Sequence, residues 1–382
     1  MKIVTVVGAR PQFIKAGAVS RAVQAFNRNC ARSERIREIL VHTGQHYDYL
    51  MDRVFFEELE LPKPDYHLGA GSGSHGKQTA AMLEGIEAVL KKEEPGMVLV
   101  YGDTNSTLAG ALAAAKLGVP VAHVEAGLRS YNRGMAEEIN RLVTDHLSSV
   151  LFCPTRQAVE NLSAEGIRNG RSKVVRNVGD VMYDSVLYYS NLAETKSTVL
   201  HDLGLMTPNS ELRTPNYYLA TLHRAENTDH PERLKSILKA LSEIGKKVPV
   251  VFPLHPRTKK MMEAHRLHPD HREVRWTEPV SYLNMLILEK NATAILTDSG
   301  GVQKEAFWFG VPCFTLRDET EWEETLRGGW NVLVGTRTER VLEAVDRMRT
   351  RKPSERNARL FGDGKAAGKI VRILAMKVES FT

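Results

Sequence analysis

Ala294-Ile295-Leu296-Thr297-Asp298-Ser299-Gly300-Gly301-Val302-Gln303-Lys304-Glu305-Ala306 reads as a strand, a glycine turn and the first turn of a helix. At such a junction several backbone N–H groups have no helical partner, and the positive end of the helix dipole points the same way. Two adjacent glycines let a ligand approach the main chain closely. The turn is suited to an anionic group, above all a phosphate.

The same rhythm continues on both sides of it. Upstream, strand-like runs at 3–7, 39–43, 97–101, 119–124, 150–153 and 173–178 alternate with helix-like stretches. Those helices start near Pro11 and cover 49–59, 105–117 and 137–147. Around the glycine turn the runs are 217–221, 248–253, 274–276, 294–297 and 312–316, with helices over 232–244, 259–265, 282–288 and 303–309. A last helix over 365–376 puts Ile370, Val371 and Leu374 on one face. This alternation predicts an α/β fold with parallel sheets. The polar segment 190–215, with Thr207-Pro208 and Thr214-Pro215, reads as an inter-domain connection. The expected architecture is two Rossmann-like, doubly wound domains, 1–190 and 215–360. Residues 361–382 form a C-terminal helix expected to pack back on the N-terminal domain. Ligands of such sheets lie beyond the carboxyl ends of the strands, so the expected site is a central cleft faced by both halves.

Composition narrows the function. The 382 residues suffice for two or three domains. No apolar run reaches the ~18 residues of a membrane span. The start, Met1-Lys2-Ile3-Val4-Thr5-Val6-Val7-Gly8, reads as a strand rather than a signal peptide, which points to the cytoplasm. A net charge of +6 suits anionic ligands, but the excess is scattered, as in Arg347, Arg349 and Arg351. With no nucleic-acid motif, neither nucleic acid nor membrane is an expected partner. Cys30, Cys153 and Cys313 share no metal-ligand spacing, and the histidines form no H-E-x-x-H pattern, so no metal is expected. Gly71-Ser72-Gly73-Ser74-His75-Gly76-Lys77-Gln78 nearly matches a P-loop. Gln78 stands where Ser or Thr should bind the metal, and no buried strand precedes it, so it reads as a glycine-rich loop before a helix. No G-x-G-x-x-G follows the first strand, so a nicotinamide is not expected, and no other cofactor is called for.

Ionisable residues gather at the strand ends. After the first strand come Gly8-Ala9-Arg10-Pro11-Gln12-Phe13-Ile14-Lys15, whose Arg10 and Lys15 suit a diphosphate. Asp103, in Tyr101-Gly102-Asp103-Thr104-Asn105, either caps the next helix, a role Thr104 or Asn105 could fill, or faces the ligand. Glu125 closes the following strand. Glu137-Glu138 open the helix that carries Asn140 and Arg141, where acids are also favoured by the dipole. Three acids at one face exceed what capping requires and suit proton transfer. His223, with Arg224 beside it, closes the first strand of the second half and is placed to bind or protonate a leaving phosphate. His255, in Pro253-Leu254-His255-Pro256, is similar in position.

Taken together, these motifs resemble the non-hydrolysing UDP-N-acetylglucosamine 2-epimerases. The motifs are Gly8-Ala9-Arg10-Pro11, Thr43-Gly44-Gln45-His46, Tyr101-Gly102-Asp103-Thr104, Val124-Glu125-Ala126-Gly127-Leu128-Arg129, Glu137-Glu138-Ile139-Asn140-Arg141, Val178-Gly179-Asp180, His223-Arg224 and Thr297-Asp298-Ser299-Gly300-Gly301. The resemblance covers essentially the whole chain. It implies the two-domain GT-B fold, a homodimer, and interconversion of UDP-GlcNAc and UDP-ManNAc for cell-surface polysaccharide. UDP is eliminated to give a 2-acetamidoglucal and then added back. By the same resemblance, Asp103, Glu125 and Glu137 are the acid/base set and His223 assists the departing UDP. Arg10, Lys15 and Arg141 contact the nucleotide sugar, Ser299, Gly300 and Gly301 hold the diphosphate, and Glu305 holds the ribose. Trp322 stands where many members carry an arginine. The stretches Pro11-Gln12-Phe13-Ile14-Lys15, Arg129-Ser130-Tyr131-Asn132 and Val302-Gln303-Lys304-Glu305-Ala306-Phe307 are similar to a sister group that epimerises UDP-2,3-diacetamido-2,3-dideoxyglucuronate. A GT-B glycosyltransferase is the alternative from another reaction class.

Overall fold

The computed structural model describes residues 1–44, 56, 58–206, 216–267, 273–350, 353 and 357–376. The chain divides into two compact units, Met1–Leu187 with Arg359–Thr382, and Tyr188–Ala358.

In the first unit the strands are β1 (Lys2–Val7), β2 (Arg37–His42), β3 (Tyr66–His67), β4 (Met97–Tyr101), β5 (Val121–Val124), β6 (Val150–Cys153) and β7 (Val174–Asn177). They pair in parallel in the order β3-β2-β1-β4-β5-β6-β7. β4, β5 and β6, and β1 from Ile3 onward, are buried throughout, as expected of a sheet covered on both sides. The helices are α1 (Arg10–Asn29), α2 (His75–Glu93), α3 (Asn105–Lys116), α4 (Ala136–Leu147), α5 (Arg156–Ala164) and α6 (Val181–Lys196), whose residues after Leu187 belong to the second unit. Val4, Val6, Ile39, Val98 and Val100 meet Ile86, Leu90, Ala109 and Ala113 in one core. The alanine run of α3 has a steric cause. A Cβ on Gly110 would lie 3.0 Å from Val100 and 3.3 Å from Val6, so this helix lies close on the sheet.

In the second unit, β8 (Tyr218–Thr221), β9 (Val250–Pro253), β10 (Val274–Thr277), β11 (Ala294–Thr297), β12 (Cys313–Thr315) and β13 (Asn331–Leu333) pair in parallel in the order β10-β9-β8-β11-β12-β13. The helices are α7 (Val199–Asp202), α8 (Ala225–Thr228), α9 (Pro231–Gly245), α10 (Pro256–Ala264), α11 (Tyr282–Asn291), α12 (Gly300–Phe309), α13 (Glu323–Leu326) and α14 (Thr338–Thr350). Both sheets reverse direction of winding beside their first strand: β1 against β4, and β8 against β11. That is where open α/β sheets bind ligands.

The segment expected to be a connection from 190 is helical to Lys196, because Val186, Tyr189 and Ala193 continue a buried stripe at helical spacing. Helices α5, α6, α7, α8, α13 and α14 and strands β3 and β13 escaped the sequence reading. β13 opens on Asn331, whose amide is used internally by Gln303, Thr325 and Thr315. The helix expected over 49–59 and the Gln45-His46 motif lie outside the described residues, except for Phe56, Glu58 and Leu59. A last helix, α15 (Ala366–Met376), lies against α1 within the first unit. Its first turn is capped by Asp184, which accepts from the N–H groups of Ala366 at 3.0 Å and Ala367 at 2.8 Å.

Candidate active site

In the first unit the site is built at the carboxyl ends of β1, β4 and β5. Pro11 and Gln12 start α1 directly after the β1 turn. The buried Gln12 amide oxygen accepts from the N–H groups of Gly8 and Ala9, at 2.8 and 3.1 Å. Its NH2 donates to the carbonyl of Tyr101 and to Thr107, both at 3.0 Å. One side chain thus ties the β1 turn to the β4 turn. Lys15, the next turn along α1, places its Nζ 2.5 Å from Glu125 Oε1, with both side chains under a tenth exposed. Arg10 sits exposed at the start of α1.

Glu125 has a φ of +72°. A non-glycine residue held there carries about 1–3 kcal/mol of backbone strain, a pattern concentrated at functional positions. Gly102, at φ +63°, borders the ion pair: a Cβ on it would lie 3.3 Å from Lys15 Nζ and 3.5 Å from Glu125 Oε1. The next residue is Asp103. The capping alternative resolves in favour of Thr104, whose side chain accepts from Thr107 N–H. Asp103 instead accepts from the Arg141 guanidinium, while Asn140 donates to its carbonyl at 2.9 Å. Asp103, Glu125, Lys15 and Arg141 are therefore gathered around one glycine.

The paired acids of α4 have separate fates. Glu138 is buried, accepting from Ser130 N–H and Oγ at 3.0 Å, Tyr131 N–H at 3.0 Å and Arg141 at 2.8 Å. It fixes the loop before the helix. Glu137 is exposed on the first turn, and no hydrogen bond or ion pair joins it to the other acids among the described residues.

Behind this turn lies a layer the sequence reading passed over. His123 is fully buried, with Nδ1 2.7 Å from Asp145 Oδ1 and Nε2 2.7 Å from the carbonyl of Gly102. Asp145 also accepts from Gly127 N–H at 3.1 Å and Arg129 at 2.7 Å. Burial alone would raise the Asp145 carboxyl, but His123 and Arg129 outweigh it and hold it below the usual carboxylate range.

In the second unit the glycine turn joins β11 to α12. Ser299 is the N-cap, its side chain accepting from Val302 N–H, and the helix begins at Gly300. Asp298 is fully buried and accepts from His223 N–H at 3.1 Å, Arg224 N–H at 3.0 Å and Asn227 Nδ2 at 3.2 Å. His223 Nδ1 lies 3.3 Å from Asp298 Oδ1, on a side chain 39% exposed. The ring is thus held through Nδ1 by the buried carboxylate. Arg224 donates through Nε to the Asp298 carbonyl at 3.0 Å, and its Nη2 lies 3.4 Å from Glu321. His255 caps α10 and its ring centroid is 5.4 Å from that of His223.

Glu305 is buried in α12 and accepts from the Tyr282 hydroxyl at 2.9 Å. Trp322 is also buried, with the Lys304 ammonium 3.6 Å from its ring centroid. Two residues missed from sequence are central here. Asp298 was visible only as part of the turn, and Arg224 only as a neighbour of His223. The clue available was their place at the ends of the two strands that flank the sheet's reversal. No cluster of His, Cys, Asp and Glu suited to a metal ion occurs among the described residues, and none of their helices is long and apolar enough to cross a membrane.

Comparison with known proteins gives a consistent picture. A family model described as UDP-N-acetylglucosamine 2-epimerase matches residues 28–375. A UDP-N-acetylglucosamine 2-epimerase homolog of Methanococcus maripaludis is 51% identical, over 98% of this chain and 99% of that protein. The UDP-2,3-diacetamido-2,3-dideoxy-D-glucuronate 2-epimerase of Pseudomonas aeruginosa is also 51% identical, with the same coverage. Among solved structures, the UDP-GlcNAc 2-epimerase of Methanocaldococcus jannaschii in complex with UDP-GlcNAc and UDP matches with a TM-score of 0.88 at 46% identity. That match covers 98% of this chain and 100% of that one.

Proposed function

This chain belongs to the UDP-N-acetylglucosamine 2-epimerase family, and we propose that it inverts C2 of a UDP-linked 2-acetamido sugar without hydrolysing it. The observation that carries this reading is the gathering of Asp103 and Glu125 beside Lys15 and Arg141 at the end of the first sheet. A carboxylate takes the C2 proton. The C2–H electrons form the C1=C2 double bond, and the C1–O bond breaks with its electron pair leaving on UDP. The reverse sequence returns UDP to C1 and a proton to the other face of C2. Two faces require two groups, and Asp103, Glu125 and Glu137 are the candidates. They act as a coupled set rather than as separately assigned acids.

Lys15 has a defined part in this scheme. Its ammonium keeps Glu125 anionic in a site with little water, because an opposite charge favours the ionised form. His223, oriented through Asp298, offers its outer nitrogen to the departing phosphate. The Ser299-Gly300-Gly301 turn, with Arg224 beside it, is suited to the diphosphate throughout. Arg10 and Glu305 are assigned to the nucleotide sugar and its ribose.

The default substrate pair is UDP-GlcNAc and UDP-ManNAc. The second reading is the UDP-2,3-diacetamido uronate, favoured by the 51% identity to the Pseudomonas aeruginosa enzyme. Incubation of each substrate in deuterium oxide tests both. Deuterium should enter at C2 of the true substrate, and no exchange with either sugar would remove the epimerase assignment. Transfer to an added acceptor without exchange would mark a glycosyltransferase. A cytoplasmic homodimer completes the proposal, with light scattering as the check on assembly.

A further inference from the structure

We propose that His123 is a positioning residue for the proton-transfer groups, acting by its grip on the Gly102 carbonyl. The inference rests on the epimerase reading and goes beyond it, because His123 touches none of the acids directly.

Three elements carry the acids: β4 leads to Asp103, β5 to Glu125, and α4 bears Glu137 with Arg141. His123 is the one side chain in contact with all three elements at hydrogen-bond distance among the bonds described above. It belongs to β5, two residues before Glu125. Its Nε2 meets the carbonyl of Gly102 at the end of β4, and its Nδ1 meets Asp145 on α4, both at 2.7 Å. Nδ1 faces a carboxylate oxygen and Nε2 a carbonyl oxygen. Asp145 is itself fixed by Arg129, whose Nε and Nη2 donate to the two oxygens of Glu165 at 2.6 Å. The chain Glu165–Arg129–Asp145–His123 ends on the glycine that precedes Asp103.

The neighbouring geometry explains why such a grip is needed. Gly102 is in the left-handed region, and so is Glu125. The Gly102 peptide also donates its N–H to the Val124 carbonyl at 3.0 Å. Two unusual backbone conformations face each other across adjacent strand ends, and misplacement there moves both carboxylates. Displacement of a reacting group by about 1 Å reduces rate about a hundredfold.

The test uses two variants of the full-length protein. Asparagine places its amide near the position of Nδ1, and glutamine reaches that of Nε2. His123→Asn keeps the Asp145 contact and loses Gly102; His123→Gln keeps Gly102 and loses Asp145. Wild-type C2–deuterium exchange is measured first, since its absence defeats the epimerase reading and not this one. Given wild-type exchange, H123N should lose about ten- to a hundredfold in kcat. H123Q should stay within about threefold, and both should bind UDP as wild type does. Equal losses in both variants, or no loss in H123N, would overturn the role. If H123N does not fold, H123Q decides alone: folded with wild-type thermal stability but with kcat down by tenfold or more, it overturns the proposal, and with kcat retained it supports it.

Discussion

The Asp298 carboxylate and His223 are joined through both backbone and side chain: Asp298 accepts His223 N–H at 3.1 Å while Nδ1 lies 3.3 Å from the same oxygen. This fully buried carboxylate is satisfied by the oriented N–H donors of His223, Arg224 and Asn227. It fixes the ring's tautomer and direction, since the contact of one imidazole nitrogen decides the proton on the other. Asp298→Asn turns an NH2 toward these donors. We expect kcat to fall about tenfold or more, with UDP affinity changed less than that. Loss of UDP binding with kcat intact would assign Asp298 to the turn alone.

Glu125 and Lys15 give a second expectation. Glu125→Gln removes a base while preserving shape, so C2 exchange should fall about a hundredfold or more. UDP affinity should stay within a few-fold, because the diphosphate is assigned to other groups. Lys15→Met removes the ammonium that favours the Glu125 anion in a largely buried site. That variant should lose stability by about 3 kcal/mol as well as activity. Calorimetry beside the exchange assay separates the two variants: a stable K15M with normal turnover would show that the ion pair is dispensable.

What the sequence revealed depends on how local each signal was. The turn at Ser299-Gly300-Gly301 is contiguous, so its helix start and capping serine were legible without coordinates. Asp103 and Glu125 were legible because both close apolar runs. Glu137 and Glu138 could not be told apart, since burial of Glu138 depends on Ser130 and Tyr131 across a loop. His123 was hidden for another reason. It sits within an apolar strand, and its partners Gly102 and Asp145 are 21 and 22 residues away. The helical stripe Val186, Tyr189, Ala193 was masked by the polar residues between, and the prolines beyond 206 drew the expected connection too early.

Asp184 provides a pH dependence. Burial pushes its carboxyl up to about 6 despite the two N–H donors of α15. A folded-state value above the ordinary 3.8 means that this group favours folding while protonated. Its contribution is complete below 3.8 and is lost as pH rises through about 6. Wild-type Tm should therefore carry a downward component across that window. Asp184→Asn, which cannot ionise, should flatten it. Parallel pH profiles for the two proteins would show that Asp184 is not its source.

The thiols should differ in reactivity. Burial raises Cys153 far beyond the usual thiol range and pushes Cys313 up to about 12, so neither supplies thiolate near neutrality. Cys30 is only partly buried. Alkylation of the native protein should label Cys30 alone, and mass spectrometry after digestion reads the sites directly. Labelling of Cys313 ahead of Cys30 would reveal opening of the second sheet near β12.

The two glycines of the turn separate packing from ligand approach. A Cβ on Gly300 would lie 2.5 Å from Glu321 Oε1 and 3.1 Å from Trp322 Nε1, so Gly300→Ala must displace the Glu321 carboxylate that pairs with Arg224 and Arg317. Such overpacking destabilises by about 1–3 kcal/mol. A Cβ on Gly301 meets nothing closer than Ser299 Oγ at 3.7 Å, and alanine suits a helix better than glycine. Gly301→Ala should therefore fold at least as stably as the wild type. If the diphosphate rests against this main chain, the added methyl weakens UDP binding about tenfold or more while Tm is unchanged or raised. Titration calorimetry beside a melting curve reads both quantities, and a G301A protein that binds UDP as tightly as wild type would place the diphosphate elsewhere.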